Sequence, residues 1–130
     1  MIIDTSALVA ILYREPEAEE FVRLVHDADV CRLSVASHIE LAIVVESQLG
    51  PEGARQAEAF IRRAGIVLEP VTLQQDELAR QAFIDFGKGR HPAGLNFGDC
   101  FAYALAKATG EPLLFKGADF GRTDIVPARA

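Results

Sequence analysis

Met1-Ile2-Ile3-Asp4-Thr5-Ser6-Ala7-Leu8-Val9-Ala10 opens the chain, and its reading decides the architecture. Three apolar residues form a short strand, Asp4-Thr5-Ser6 ends it, and a helix follows to about Tyr13. The same alternation continues to the other end. Glu15-Pro16-Glu17 starts a second helix, in which Ala18, Phe21, Val22 and Val25 fall at helical spacing. Residues 30–35 read as a strand. Ser37 opens a helix that runs to about Leu49 and is stopped by Gly50-Pro51, and a further helix reaches Ala64-Gly65. A short strand at 66–68 precedes Thr72 and Gln75, whose spacing resembles a capping box for a helix ending near Phe86-Gly87. After a loop at 88–95, Asn96 caps a helix that ends at Gly110. Residues 112–115 form a buried strand and 123–127 a last edge strand. Short strands alternating with helices predict a parallel sheet covered on both faces, a three-layer α/β/α domain.

At 130 residues, half of them hydrophobic, the chain supports one full core, so residues 1–130 are read as a single domain. Its first residues carry no basic segment of the secretory type, and an acid arrives at position 4. The longest apolar stretches, 7–12 and 41–45, fall far short of the ~18–20 residues that span a bilayer. A soluble, cytoplasmic protein without a membrane partner is expected. Cys31 and Cys100 lack zinc-site or disulfide spacing, and Cys100 lies in an apolar helical run that reads as core. The net charge of −6 argues mildly against a nucleic-acid partner. Its distribution softens that objection, since residues 1–85 carry −8 and residues 86–130 carry +2.

In parallel sheets, sites form beyond the carboxyl ends of the strands. Asp4 stands directly after the first strand, where a carboxylate costs desolvation unless it is hydrogen-bonded or binds a cation. It reads either as a ligand or as the cap of the helix that follows. Ser37-His38-Ile39-Glu40 reads as a capping box, with Glu40 reaching back to the Ser37 amide. Asn96-Phe97-Gly98-Asp99 repeats that pattern and puts Asp99 on a first helical turn, where the helix dipole favours an ionised carboxylate. Asp4, Glu40 and Asp99 together form a hard-oxygen set that selects Mg²⁺ or Mn²⁺. Asp119, in Lys116-Gly117-Ala118-Asp119-Phe120, is a candidate fourth acid, with a tight-turn acid as the other reading. Thr5 and Ser6 are placed to orient Asp4 or a metal-bound water. Lys88, Arg90 and Lys116 are candidate contacts to an RNA backbone, against the ordinary alternative of solvated loop cations. Glu46 falls too far round its helix from Glu40 to join the pocket.

The opening decapeptide resembles the start of PIN-domain ribonucleases, specifically the VapC toxins of type II toxin–antitoxin systems. Asn96-Phe97-Gly98-Asp99-Cys100-Phe101-Ala102-Tyr103-Ala104-Leu105-Ala106 is similar to the later acidic helix of that family. Pro112-Leu113-Leu114-Phe115-Lys116-Gly117 resembles the strand and turn behind it, and Ser37 to Glu40 supply the middle acid. The resemblance covers essentially the whole chain. It implies a PIN fold, Mg²⁺- or Mn²⁺-dependent endoribonuclease activity, homodimerisation and inhibition by a VapB-type antitoxin. Metal and catalytic roles pass to Asp4, Glu40 and Asp99. Many relatives place the fourth acid slightly earlier, where this chain has Lys116-Gly117, so Asp119 is either its substitute or a bystander.

Rival classes fit less well. A phosphoacceptor signalling domain usually has adjacent acids near the first strand end and an acceptor Asp after a middle strand, and the strand at 30–35 leads to no Asp. A D-x-D phosphatase needs a second Asp that Asp4-Thr5-Ser6 lacks. A catalytically silent PIN-like binding module is disfavoured by the intact acids. The RNA target is not encoded in any legible motif, whereas apolar positions in the helices after Glu17 and Pro51 are candidate antitoxin docking faces.

Overall fold

The computed structural model describes residues 1–129. In chain order the elements are β1 (Ile2–Ile3), α1 (Thr5–Leu12), α2 (Ala18–Asp27), β2 (Arg32–Ser34), α3 (Val35–Arg63), β3 (Val67–Glu69), α4 (Leu73–Phe86), α5 (Phe97–Thr109) and β4 (Leu113–Leu114). A 3₁₀ turn at Phe120–Arg122 follows. The four strands form one parallel sheet in the order β3-β2-β1-β4, so connections leave β1 in opposite directions on its two sides.

Very short strands suffice because every residue of β1 and β4 is buried on one face or the other. Ile3 and Leu114 point to the layer of Leu8, Phe21, Val25, Leu41 and Val45, which α1, α2 and α3 supply. Their neighbours Ile2 and Leu113 point to the opposite layer, with Ala82, Leu95, Tyr103 and Leu105 from α4, α5 and the loop between them. That is the two-residue alternation of a strand covered on both sides, and it makes the domain the expected α/β/α sandwich.

Three local expectations shift. The helix after β2 begins at Val35 and is capped by Ser34, whose side chain accepts from the Ala36 amide at 3.2 Å. Ser37 therefore lies inside the first turn, and the Ser37–Glu40 capping box does not form. The reason is that β2 pairs with β3 as far as Ser34, which makes Ser34 the first residue free to cap. Gly50 breaks α3 with φ 71° and ψ −169°, a conformation a side chain resists, so the turn at Gly50-Pro51 divides it as expected. His38 and Glu58 meet across the break at 2.5 Å. The predicted edge strand at 123–127 reduces to one parallel bridge between Leu113 and Pro127. Tyr103 and Lys107 both bond the Asp124 carboxylate, at 2.7 and 2.9 Å, and hold this segment as a loop against α5.

Candidate active site

The site lies at the strand ends where the sheet order reverses. The Asp4 amide donates to the Leu114 carbonyl at 2.9 Å, so Asp4 is fixed between β1 and β4. Its Oδ2 accepts from the Ser6 amide at 3.0 Å, capping α1. The capping reading of this residue is therefore realised, through one oxygen of the carboxylate. Asp4 is only 4% exposed. Burial pushes its pKa from 3.8 to about 6; the Ser6 hydrogen bonds pull it down, and the charges of Asp99 and Glu40 push it further up.

Glu40 arrives from α3, one turn beyond Ser37. Its carboxylate lies over the backbone of Gly98, so closely that a Cβ at position 98 would fall on Glu40 Oε2. Asp99 arrives from the first turn of α5. There Asn96 and Asp99 form the predicted capping box, the Asp99 amide donating to Asn96 Oδ1 at 2.9 Å and the Asn96 amide to Asp99 Oδ2 at 3.1 Å. Burial raises the Asp99 pKa, the Asn96 amide opposes this, and the charges of Asp119 and Glu40 add to the rise. Asp119, exposed in the turn after β4, thus lies within electrostatic reach of Asp99.

Thr5 and Ser6 bind the scaffold around Asp4. Thr5 Oγ1 donates to the Ser37 carbonyl at 3.1 Å, tying α1 to α3. Ser6 Oγ accepts from the Lys116 amide at 3.0 Å, tying α1 to the turn that carries Asp119. The Lys116 ammonium turns away to Glu15 and Glu17, at 3.2 and 3.3 Å, and these raise its pKa. Lys88 and Arg90 are exposed on the loop before α5, with Arg90 stacked over the Phe83 ring at 5.5 Å. Gly98 and Ser37 belong to the site in ways the sequence reading missed. A glycine in the first turn of a helix, flanked by a capping box, was a usable sign of close backbone approach.

Among the described residues, no Lys, Arg or His pairs with Asp4, Glu40, Asp99 or Asp119. Asp4 and Asp99, their pKa values both raised by burial and by neighbouring carboxylate charge, and Glu40 and Asp119 beside them share no protein cation, which leaves the cluster electrostatically incomplete. Hard oxygen donors of this kind fit Mg²⁺ or Mn²⁺. Among the described residues no three of them stand close enough together to grip one ion.

The fold and this acidic cluster define a class of nuclease-like domain, and the family comparison agrees. The chain belongs to the PIN domain family, whose profile matches residues 1–126, and within it to the VapC ribonucleases. It is 53% identical over 125 residues to Ribonuclease VapC of Mycolicibacterium smegmatis, covering 96% of this chain and 97% of the relative. It is 52% identical over 126 residues to Ribonuclease VapC28 of Mycobacterium tuberculosis, covering 96% and 95%. Among solved structures it is similar to VapC20 of M. tuberculosis, described as a Sarcin-Ricin loop cleaving toxin, with a TM-score of 0.77 and 20% identity over 96% of this chain and 95% of that one. VapBC2 of Rickettsia felis, solved with a DNA fragment from its promoter, matches with a TM-score of 0.77 at 12% identity over 97% and 94%.

Proposed function

We propose that this chain is the toxin of a VapBC pair and hydrolyses RNA phosphodiesters with a divalent cation held by Asp4 and Asp99. The observation that carries this reading is a cluster of carboxylates that pairs with no Lys, Arg or His among the described residues, on the fold of a ribonuclease family. Bound Mg²⁺ or Mn²⁺ supplies an activated water and neutralises charge on the phosphoryl oxygens. Asp4, buried and fixed by the Ser6 and Leu114 bonds, holds one side of the site rigidly. Asp99 holds the other, with one oxygen engaged by the Asn96 amide. Glu40, free of any cation partner and lying against Gly98, orients the attacking water and accepts its proton. Asp119 completes the acidic rim, and its exposure on a turn suits an adjustable fourth ligand. Lys88 and Arg90 meet the RNA backbone. Lys116 reaches RNA only by leaving Glu15 and Glu17, so its first role is to hold the turn.

The regulatory partner is a VapB-type antitoxin. An open groove between α1 and the part of α3 after Pro51, lined by Ile11, Leu12, Ala59 and Phe60, is the face this reading gives it. No helix among the described residues is long and apolar enough to cross a membrane.

The test is RNA cleavage with sequencing of the product ends, for the wild type and the Asp4→Asn and Asp99→Asn variants. Both variants are expected to remain folded and to lose cleavage, and excess EDTA to silence the wild type. Full activity in either variant, or in EDTA, overturns the reading. A stable aspartyl phosphate after treatment with a small acyl phosphate would instead support a signalling domain.

A further inference from the structure

The Ser37 hydroxyl is the one buried side-chain polar atom among the described residues with no hydrogen-bond partner in the protein. The residue is 1% exposed. A serine in a first helical turn ordinarily satisfies its hydroxyl by capping or by bonding a carbonyl one turn back. Here Ser34 has taken the cap, and Ser37 Oγ bonds no backbone carbonyl.

Its place in the fold gives the orphan a purpose. Ser37 precedes Glu40 by three residues, so the two share one side of α3. Its own carbonyl receives the Thr5 hydroxyl, and Thr5 follows Asp4 directly. Ser37 thus sits at the seam between the segments that bring in Asp4 and Glu40. The Asp4 carboxylate in turn accepts from Ser6 at the start of α1, its Oδ2 taking the Ser6 amide.

We infer that Ser37 is a positioning residue of the metal site, whose unpartnered hydroxyl, buried at the Asp4–Glu40 seam, donates to the carboxylates or hydrating water that surround a bound divalent cation. It would act through those groups rather than on substrate. Outer hydrogen-bond partners of this kind orient metal ligands and tune their affinity. A buried hydroxyl with no partner in the protein brings no stability by itself, whereas one that donates to a filled site does. The inference rests on the metal-dependent reading of the same site.

The two ideas separate in one experiment. Mn²⁺ binding to the full chain is titrated by the loss of the free-ion electron paramagnetic resonance signal, alongside thermal melts in EDTA. Ser37→Ala is expected to melt at or above the wild-type temperature, yet to bind Mn²⁺ about tenfold more weakly. Ser37→Cys keeps the volume with a poorer donor and should show the same weakened binding. Wild-type affinity in both variants overturns the inference, because the hydroxyl then serves no metal. A clear drop in melting temperature for Ser37→Ala also overturns it, because the hydroxyl then has a partner within the protein. Failure of the wild type to bind Mn²⁺, or unchanged binding by Asp4→Asn, would instead remove the metal-dependent reading itself.

Discussion

Asp4 shows how a single residue can oppose the stability of the fold that holds it. Its carboxyl is buried at the sheet's centre, and its pKa stands at about 6 against 3.8 for an unperturbed group. The folded chain therefore keeps a proton that the unfolded chain releases between about pH 4 and pH 6. Stability from this group falls as pH rises through that window, by an amount on the order of 3 kcal/mol once Asp4 is fully ionised. Asn in its place retains the oxygen that accepts from Ser6 and removes the charge. Asp4→Asn is expected to melt several degrees above the wild type at pH 7.5 in EDTA, with the gap closing towards pH 5. An equal gap at both pH values would show that the charge carries no such cost. Adding Mn²⁺ at pH 7.5 should raise the wild-type melting temperature and leave the variant unchanged, because an ion that binds only the folded form stabilises it by mass action.

At the scale of elements, the site depends on how closely α5 approaches α3. Gly98 has helical backbone, so Ala there should be neutral or mildly favourable for α5 itself, by up to about 1 kcal/mol. Its Cβ would nevertheless fall on the Glu40 carboxylate and displace it. Gly98→Ala is expected to leave the melting temperature near or above that of the wild type while RNA cleavage drops about 10- to 100-fold. Unchanged cleavage would mean that Glu40 works from elsewhere. This contact also marks the limit of what the sequence could say. Asp4 and Asp99 were legible because their placement is local, one at a strand end and the other in a capping box. At Glu40 only the capping-box reading fails. Ser34 and Ser37 are equally good caps in sequence, and only the pairing of β2 with β3 decides between them. The Lys116 pairs with Glu15 and Glu17 join residues about a hundred positions apart, which no local pattern encodes. The segment at 123–127 has the composition of a strand, but the grip of Tyr103 and Lys107 on Asp124 leaves it one bridge.

The whole molecule keeps a hydrophobic face beside its acidic one. Phe97 is 80% exposed, and Ile39 and Ile43 are 59% and 62% exposed. With Ala36, Val44 and Phe101 they line a groove that ends at Glu40 and Gly98. A second apolar groove, with Val71, Ala79 and Phe83, lies on the other side of Phe97 and Phe101, whose rings meet edge to face at 4.9 Å. A projecting aromatic ridge beside apolar grooves can complement its own copy across a two-fold axis. Interface cores are also depleted in charge and enriched in aromatics, as this face is. This is the surface on which the homodimer implied by the family resemblance would form. Ile43→Asp places a charge on the patch outside the core, one helical turn from Glu40. It should convert a dimer to a monomer in light scattering coupled to gel filtration, with the melting temperature changed little at high protein concentration. If the wild type is already monomeric at tens of micromolar, or if Ile43→Asp remains dimeric, this face does not carry self-association. If it does, and the proposed site is the one that cleaves RNA, cleavage by the monomeric variant should weaken mainly through KM, because each copy carries its own Asp4, Glu40 and Asp99.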